Sequence, residues 1–444
     1  MKNHKNSIKK DAISIFYSGL NECKPTESFS KKIKLRRVGE NKIIRISTTN
    51  FTLSPKGKVF VIGAGKASSH MAYYLEREIK DIISSGIVIT PYKYKKKCEK
   101  IKVLEASHPL PDRNGISHTN KIINLVQNCE KDDLVFFLLS GGASSLLVKP
   151  ANGIELEEKS WLTQNLLNAG ATINELNCVR KHLSQIKGGQ LALKTLPAKL
   201  ITLYISDVIG NKLDVIGSGP TYGDNTSFDD AYNILIEKEL WEKTPRNIKK
   251  YIEQGIEGKK RETPSRKLLP KNKLFFFMMS DLNTAITASS KKAKSLGYKT
   301  KVLSRNLHGE ANEVGKYLST IAKKEKNKLS ISTCIICGGE TTVTVKGNGK
   351  GGRCQELALK FAIEIKGISK ILLLASGTDG KDGPTSSSGA IVNGRTINSK
   401  KLIIDSEESL RNNNSNIFLK SRKSLFKTGP TGTNVMDILV LLIR

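Results

Sequence analysis

One local pattern recurs along the chain: a short apolar run, a glycine-containing turn, and then a segment with helical periodicity. It occurs in KVFVIGAGKASSHMAYYLEREI at 58–79 and in DDLVFFLLSGGASSLL at 132–147, and a further apolar run, KLITLYISDVIG, spans 199–210. Strands that alternate with helices are typical of α/β folds with a largely parallel sheet. In such folds ligands bind where the strands end in turns, so the turns are the first place to look for a site.

The chain of 444 residues is long enough for two or three domains. Segment 254–273 is polar, charged and proline-containing, with little periodicity, which predicts a linker between domains. We therefore expect a Rossmann-like N-terminal domain at 1–253 and a second, smaller α/β domain at 274–444.

The N-terminal segment is basic, but its apolar positions do not form the continuous run of a signal peptide. Ile8, Ala12, Ile15 and Phe16 fall on one helical face, which predicts an amphipathic first helix. The most apolar runs elsewhere are far shorter than the roughly 20 residues that span a membrane. These features predict a cytoplasmic protein without a membrane partner.

The seven cysteines are scattered along the chain, as expected for free thiols in a reducing compartment. Cys334 and Cys337 form a C-x-x-C pair, but neither a second pair nor a histidine stands at zinc-site spacing from them. We therefore predict that both are thiols in the core.

The net charge of +32 is compatible with nucleic acid, an anionic membrane surface or a negatively charged substrate as partner. The lysines are spread over the whole chain, and aromatic residues make up only 6% of it. This distribution favours a solvated, lysine-rich surface over a specific nucleic-acid groove. A basic nucleic-acid-binding protein is the non-enzyme alternative.

The first glycine turn contains Gly63, Gly65 and Lys66, and it resembles a dinucleotide-binding fingerprint with Ser68 in the third glycine position. The acidic residue expected after the next strand is missing, because IVIT at 87–90 is followed by proline and tyrosine. The other interpretation is an anion-binding turn, in which backbone N–H groups face a phosphate or carboxylate and Lys66 adds positive charge.

The second glycine turn, SGGASS, begins at Ser140 and contains Gly141, Gly142 and Ser144. The G-x-S-x-G pattern of a nucleophile elbow is absent, which disfavours Ser144 as a covalent nucleophile. We predict instead that hydroxyl and amide donors of this turn bind anionic oxygens. The glycine–lysine pairs at 65–66 and 349–350 lack the spacing of a P-loop.

Residues 338–362, GGETTVTVKGNGKGGRCQELALKFA, combine many glycines with two lysines and an arginine. The alternation of polar and apolar residues at 341–346 predicts a strand. Helical spacing resumes after the glycines, so a helix is expected to begin near Arg353. A guanidinium at that position can bind phosphate oxygens through two parallel hydrogen bonds.

Carboxylates follow two further apolar runs. Asp207 follows the strand at 199–206, and Asp379 and Asp382 lie in GTDGKDG after ILLLAS. Carboxylate oxygens at such positions can hold a hard cation or its bound waters. His108, in ASHPLPD, is either a polar loop residue or a ligand contact.

In their order along the chain, these stretches resemble the class II glycerate kinases, a family with a large N-terminal domain and a C-terminal MOFRL domain. The matching pieces, which cover roughly 58–438, are VIGAGKAS, SHPLPD, SGGASSLL, VRKHLSQIKGG, ISDVIG with IGSGPT, GGETTVTVKGNGKGGRCQELAL, ASGTDGKDGPT and TGPTGTNVMDI. The resemblance places the MOFRL region at about 331–440.

The resemblance implies a kinase that uses ATP and Mg²⁺ to phosphorylate D-glycerate, typically giving 2-phosphoglycerate, at a site between two α/β domains. It implies catalytic roles for Lys66 and Arg353, to which we add Asp207. The metal ligands are expected among Asp207, Asp379 and Asp382. The substrate- and nucleotide-binding residues are expected to be Gly63, Gly65, Ser140, Gly141, Gly142, Ser144, Glu340, Thr378, Asp379, Thr431 and Asn434.

The chain departs from the family pattern at a few positions. Asn211 stands where an aspartate is common after SDV and glycine, so Asp207 is expected to carry more of the metal binding. Cys354 replaces an asparagine, and Ser386 to Ser388 replace a more alanine-rich segment. An NAD(P)H-dependent hydroxypyruvate reductase is the alternative enzyme, and either a monomer or a homodimer is expected.

Overall fold

The computed structural model describes residues 7–327 and 331–444. The helices are Ile8–Glu22 (α1), Pro25–Lys32 (α2), Ser68–Ile79 (α3), Arg113–Val126 (α4), Ala143–Leu146 (α5), Leu156–Asn168 (α6), Ile173–His182 (α7), Gln190–Thr195 (α8), Phe228–Glu237 (α9), Arg246–Ile256 (α10), Leu282–Ser295 (α11), Ala311–Asn327 (α12), Arg353–Glu364 (α13), Lys400–Arg411 (α14) and Ser415–Ser421 (α15). Short 3₁₀ turns lie at Lys80–Ile82, Ile209–Asn211 and Ile216–Ser218.

The strands are Ile33–Val38 (β1), Asn41–Ile46 (β2), Thr49–Leu53 (β3), Val59–Ala64 (β4), Ile83–Pro91 (β5), Ile101–Ala106 (β6), Leu134–Leu139 (β7), Lys199–Ile205 (β8), Leu274–Ser280 (β9), Lys299–Leu307 (β10), Thr333–Gly339 (β11), Ile371–Gly377 (β12), Gly389–Asn393 (β13), Leu425–Phe426 (β14) and Asp437–Ile443 (β15).

The chain divides into two compact units. Residues Ser28–Met279 form one, which we call the inserted unit; Met1–Glu27 and Ser280–Arg444 together form the other, the terminal unit. The terminal unit is therefore made from both ends of the chain. The first predicted domain was 1–253, whereas the inserted unit begins at Ser28 and ends at Met279. The second was predicted at 274–444, whereas the terminal unit also contains the N-terminal segment up to Glu27.

The inserted unit is built on a six-stranded sheet in the order β6-β5-β4-β7-β8-β9. The pairings from β6 through β8 are all parallel. This is the strand order of a doubly wound Rossmann-like fold, as predicted, and the winding direction reverses between β4 and β7. Glycine turns follow β4 and β7, so both lie at the topological switch point, where such sheets bind ligands.

The segment 254–273 is not the connection between the units. The chain continues from it into β9, which lies beside β8 in the sheet of the inserted unit. Its polar side chains are used locally: the Glu262 carboxylate accepts a hydrogen bond from the Phe228 amide, and Thr263 donates to Asp224. Composition alone suggested a linker, but specific tertiary hydrogen bonds hold this loop in place.

The terminal unit has a mixed six-stranded sheet in the order β10-β11-β15-β12-β13-β14. β10 and β11 are parallel, whereas the other pairings are antiparallel. Cys334 and Cys337 are buried in β11, which confirms their prediction as core thiols. Burial raises the pKa of each thiol to about 12.

The predicted amphipathic first helix is α1, and Ala12, Ile15 and Phe16 are fully buried in it. It packs against α11 of the terminal unit. The Ser289 hydroxyl donates to the Ile15 carbonyl at 3.0 Å, and a β-carbon on Gly19 would lie only 2.7 Å from the Ala285 carbonyl oxygen. Glycine at position 19 thus allows the two helices to approach closely.

Within the described parts of the chain, the structure contains no helix long and apolar enough to cross a membrane.

Candidate active site

The two glycine turns of the inserted unit are joined directly to each other. The Lys66 amide donates to the Gly141 carbonyl at 2.8 Å, and the Ala67 amide donates to the buried Ser140 hydroxyl at 3.0 Å. Gly65 has φ +137°, and a β-carbon there would overlap the Ser140 side chain. The close contact between the turns therefore requires glycine at this position.

Three chemically active side chains surround the tip of the second turn. A β-carbon on Gly141 would overlap the Asp207 carboxylate, and one on Gly142 would lie 3.1 Å from His108 Cε1 and 3.3 Å from Lys66 Cγ. Positions 141 and 142 are glycines because the Asp207, His108 and Lys66 side chains occupy the space that a larger side chain would need. The structure thus brings the predicted residues Lys66 and Asp207 together with the SGGASS turn.

The hydroxyls of this turn have protein partners. Ser144 Oγ lies 3.1 Å from Ser218 Oγ, which in turn donates to Asn177, and Ser145 Oγ lies 2.9 Å from His108 Nδ1. Gly63, further back in β4, packs tightly: a β-carbon there would lie 2.7 Å from the Leu138 carbonyl oxygen. Glycine at position 63 therefore allows β4 and β7 to lie close together. The binding of anionic oxygens by the serines of the second turn stays a prediction.

In the terminal unit, Asp437 is the point at which three segments meet. As the first residue of β15 it pairs with Gly339, the last residue of β11, and with Gly377, the last residue of β12. The loops that leave β11 and β12, and the loop that enters β15, therefore lie at one end of this sheet. Asp437 itself is buried.

Arg353, the first residue of α13, is held by carboxylates. Its Nε donates to one oxygen of Asp437 at 2.6 Å, its Nη2 to the other at 2.8 Å, and its Nη1 lies 2.9 Å from a Glu340 oxygen. Burial alone would lower the pKa of the guanidinium, but the neighbouring carboxylates of Asp437 and Glu340 raise it above its ordinary value. Arg353 is therefore charged at every accessible pH.

This arrangement corrects one expectation from the sequence. The two-pronged edge of Arg353 that was expected to face phosphate is taken by Asp437, so only the remaining N–H groups can reach a ligand. Asp437 is a residue whose importance the sequence did not reveal. It stood among the polar residues of TGTNVMD, and only the folded chain shows that it positions Arg353.

Asp382 binds the start of α13. One oxygen accepts from the Cys354 amide, and the other accepts from the Gln355 amide and side chain. Burial and the nearby charge of Asp437 raise the pKa of Asp382 to about 6, against the opposing effect of these hydrogen bonds. Both oxygens of this predicted metal ligand are thus engaged in capping a helix.

The other predicted residues of this unit surround the same sheet end. Thr378 donates to the Met436 carbonyl at 2.7 Å, and Thr431 donates to the Thr378 carbonyl at 2.5 Å. Asp379 accepts from the Lys381 amide, and Asn434 accepts from the Met436 amide. These contacts tie together the loops that carry Asp379 and Asn434.

The strand predicted at 341–346 is wrong. This segment forms only an isolated bridge between Thr342 and Glu310. The Thr344 amide and hydroxyl bind the Glu310 carboxylate, and the Lys346 and Gly347 amides bind the Asn413 side chain. Because side chains satisfy these backbone donors, the alternating pattern does not produce a ladder.

The glycines before α13 serve close packing. A β-carbon on Gly347 would lie 2.6 Å from Asn412 Cα, one on Gly349 would overlap the Asn412 carbonyl, and one on Gly352 would overlap the Asp382 carboxylate. α13 nevertheless begins at Arg353, as predicted. The glycines therefore place the loop and Asp382 against the helix that carries the arginine.

Within 7–327 and 331–444 no group of three or more histidine, cysteine or acidic side chains is arranged to hold a metal ion.

The fold defines an α/β protein in which each unit has a cluster of charged and polar side chains where its strands end. Two family models match the chain: the Domain of unknown function (DUF4147) over 11–253, and the MOFRL family over 333–437. The Glycerate 2-kinase of Pyrococcus horikoshii is 38% identical over 429 residues, which cover 95% of this chain and 94% of that protein. A Putative hydroxypyruvate reductase of Agrobacterium vitis is 39% identical over 400 residues, 89% of each chain.

Among solved structures, a crystal structure of Glycerate kinase from Thermotoga maritima matches with a TM-score of 0.84 and 35% identity, over 98% of this chain and 99% of that one. The chain belongs to the class II glycerate kinase family. The MOFRL match agrees with the region predicted at about 331–440.

Proposed function

We propose that this protein is a glycerate kinase, which transfers the γ-phosphoryl group of ATP to the 2-hydroxyl of D-glycerate. In this reaction the hydroxyl oxygen bonds to the γ-phosphorus, the bond to the β–γ bridging oxygen breaks, ADP leaves, and the hydroxyl proton is released. The observation that carries the proposal is family membership together with Lys66 and Asp207 beside the glycine turns of a Rossmann-like switch point.

Phosphoryl transfer needs positioning and charge neutralisation more than covalent chemistry. Lys66 lies beside Gly142, where its ammonium can stabilise charge on the phosphoryl oxygens. The glycines at 65 and 141 let the two turns approach each other and let the Asp207 carboxylate lie against the second turn, near Lys66. Arg353 supplies a second fixed positive charge, whose direction is set by Asp437 and Glu340.

The donor set is compatible with Mg²⁺, which usually binds to one or two carboxylates plus substrate phosphates and water. Asp207 of the inserted unit and Asp379 of the terminal unit are the separate candidates to hold it, whereas Asp382 is occupied at the start of α13. A bound Mg²⁺ would neutralise phosphate charge. The role of Asp207 beyond this is to orient the glycerate hydroxyl.

The test is an assay with purified protein, D-glycerate, ATP and Mg²⁺ that follows both ADP release and the phosphorylated product. We expect a product that enolase converts directly, without a mutase, because enolase acts on 2-phosphoglycerate. A product that enolase converts only after a mutase is added would still indicate a kinase, but one that phosphorylates the 3-hydroxyl.

The same protein is then assayed for NAD(P)H oxidation with hydroxypyruvate, because a relative carries that name. No carboxylate stands at the end of β5, where Thr90 and Pro91 close the strand, so the usual partner of a nicotinamide-nucleotide ribose is missing there. Reductase turnover without ADP release would overturn the kinase proposal.

A further inference from the structure

The inserted unit contains a cavity of about 420 Å³, a volume typical of small-molecule sites. Three sequence stretches that carry the family resemblance contribute to its wall: SHPLPD through His108, SGGASS through Gly142 and Ser144, and VRKHLSQIKGG through Arg180 and Lys187. One end therefore lies at the turn beside Lys66. The remaining wall is formed mainly by α6.

Three cations line this cavity: Lys159 of α6, Arg180 of α7, and Lys187. Lys159 and Lys187 are almost fully buried. The Lys159 ammonium donates to the Arg180 and Leu183 carbonyls, and the Lys187 ammonium to the Ser144 and Gly217 carbonyls. Each ammonium has a third N–H, and these carbonyls carry no net charge.

No aspartate or glutamate lines the cavity among the described residues. The guanidinium of Arg180 makes neither a hydrogen bond nor an ion pair within the described parts of the chain. Burial lowers the pKa of Arg180 to about 10. Burial, together with repulsion from Arg180, lowers the pKa of Lys159 to about 7. Burial, together with repulsion from Lys159 and Arg180, lowers the pKa of Lys187 as well.

Buried cations without counter-charges are costly, and an anionic ligand removes that cost. We propose that this cavity binds the carboxylate of the acceptor acid, with Arg180 as its principal ligand and Lys187 and Lys159 as supporting charges. This inference rests on the proposed function for the identity of the acid. With its carboxylate at Arg180, the acid extends toward Gly142, at the end of the cavity beside Lys66.

A carboxylate fits the wall better than a magnesium nucleotide. The wall offers cations and the hydroxyl and amide groups of Ser160, Thr163 and Gln164, but no carboxylate to receive a metal ion. A planar guanidinium also matches the geometry of a carboxylate through two parallel hydrogen bonds. The small hydroxyl and amide groups suit an acid that itself carries hydroxyls.

The test compares Arg180→Gln with wild type in steady-state kinetics and in calorimetric titration with D-glycerate. Losing a charge-assisted hydrogen bond predicts a rise in glycerate KM and Kd of at least about tenfold, with the KM for ATP unchanged. Arg180→Lys, which keeps the charge but not the two-pronged geometry, should recover part of the affinity. Arg113→Gln is the matched control, because Arg113 is an exposed arginine of the same unit.

Glycerol, which lacks the carboxylate, should neither bind nor compete. A rise in the ATP KM with normal glycerate binding would assign the cavity to the nucleotide and overturn the inference, and so would unchanged values for both substrates. If wild type shows no kinase turnover, the proposed function fails, while titration with D-glycerate still decides the cavity: binding lost in Arg180→Gln supports it, and no binding by wild type rejects it.

A second readout is proton uptake. At pH 8 an amine whose pKa is about 7 is mostly neutral, and an anion beside Lys159 favours its protonated form. The groups that face it across the cavity are Arg180, Lys187 and His108. Titrations at pH 8 in HEPES and in Tris should therefore give different apparent enthalpies, and this difference should become smaller in Lys159→Met, which keeps Lys187.

Discussion

Two half-buried arginines of this protein have opposite electrostatic surroundings. Arg353 of the terminal unit is held by Asp437 and Glu340, which raise its pKa. Arg180 of the inserted unit lines a cavity without acidic residues, and burial lowers its pKa to about 10. The protein itself balances the first charge. It leaves the second for a ligand to balance, so the same side chain is rigidly positioned in one unit and available for binding in the other.

The largest effect on activity and stability is expected from removing Arg353, whose charge Asp437 and Glu340 balance. In Arg353→Ala the loss of a preorganised charge should lower kcat by about 10²–10³-fold, which is roughly 3–4 kcal/mol of barrier. The buried Asp437 also loses its partner, so the free energy of unfolding should fall by about 3–5 kcal/mol. Kinetics and urea unfolding measure the two losses separately.

Arg353→Lys separates charge from geometry, because lysine cannot donate in parallel to both Asp437 oxygens. We expect partial recovery of stability and little recovery of kcat. A near-normal kcat in Arg353→Ala, with intact fold, would remove this residue from the mechanism.

The next largest effect on stability is expected from a substitution in the glycine-rich segment before α13. A β-carbon in Gly352→Ala would collide with Asp382, which caps the helix that begins with Arg353. Because φ at Gly352 is −160°, the strain is steric crowding, and overpacking of this kind costs about 1–3 kcal/mol. Urea unfolding measures it, and Lys350→Ala in the same segment should change stability by less than about 0.5 kcal/mol.

The pH dependence of stability sharpens the comparison, because the two units should show opposite slopes. The pKa of Asp382 is raised to about 6, so the folded state binds more protons than the unfolded state, and stability falls as pH rises from about 4 to 6. The pKa of Lys159 is lowered to about 7, so the unfolded state binds more protons and stability rises above pH 7. Each slope is at most about 1.4 kcal/mol per pH unit.

Unfolding free energies at pH 4.5, 5.5, 7.5 and 8.5 test these slopes. Asp382→Asn should flatten the acid slope and leave the alkaline one, whereas Lys159→Met should reduce the alkaline slope, to which Lys187 also contributes, and leave the acid one. Parallel behaviour of both variants would contradict the assignment of the slopes to these two groups.

The smallest effect concerns the exposed arm of the Arg353 network. The Glu340 side chain is 47% exposed, so Glu340→Gln should cost less than about 1 kcal/mol of stability. A loss as large as that of Arg353→Ala would mean that Glu340, rather than Asp437, positions the arginine. Thermal denaturation of both variants at one ionic strength decides between them.

Local patterns predicted the parts of the fold that depend on local physics. The apolar run, glycine turn and helical spacing around Gly63 and Gly65 gave β4 and α3, and the spacing after Arg353 gave the start of α13. The strand at 341–346 was wrong because Glu310 and Asn413, remote in sequence, satisfy its amides.

For the site, a glycine turn with a cation was recognisable near Lys66, but the partner of Arg353 was not. Asp437 lies 84 residues from it in sequence. The cavity was equally out of reach, because α6, α7 and the loop at His108 must fold before their side chains share one wall. The motif VRKHLSQIKGG contained the signal for Arg180 and Lys187, although no local pattern assigned them a role.

The discontinuous terminal unit has a consequence for biosynthesis. α1 leaves the ribosome well before α11, which starts at Leu282 and provides much of the surface that buries its apolar face. The residues between them, Ser28–Met279, form a complete unit that can fold in the meantime. The nascent chain must therefore keep the apolar face of α1 from aggregating while the whole inserted unit is being made. The two lysines at the start of α1, Lys9 and Lys10, keep that end of the helix hydrated during the delay.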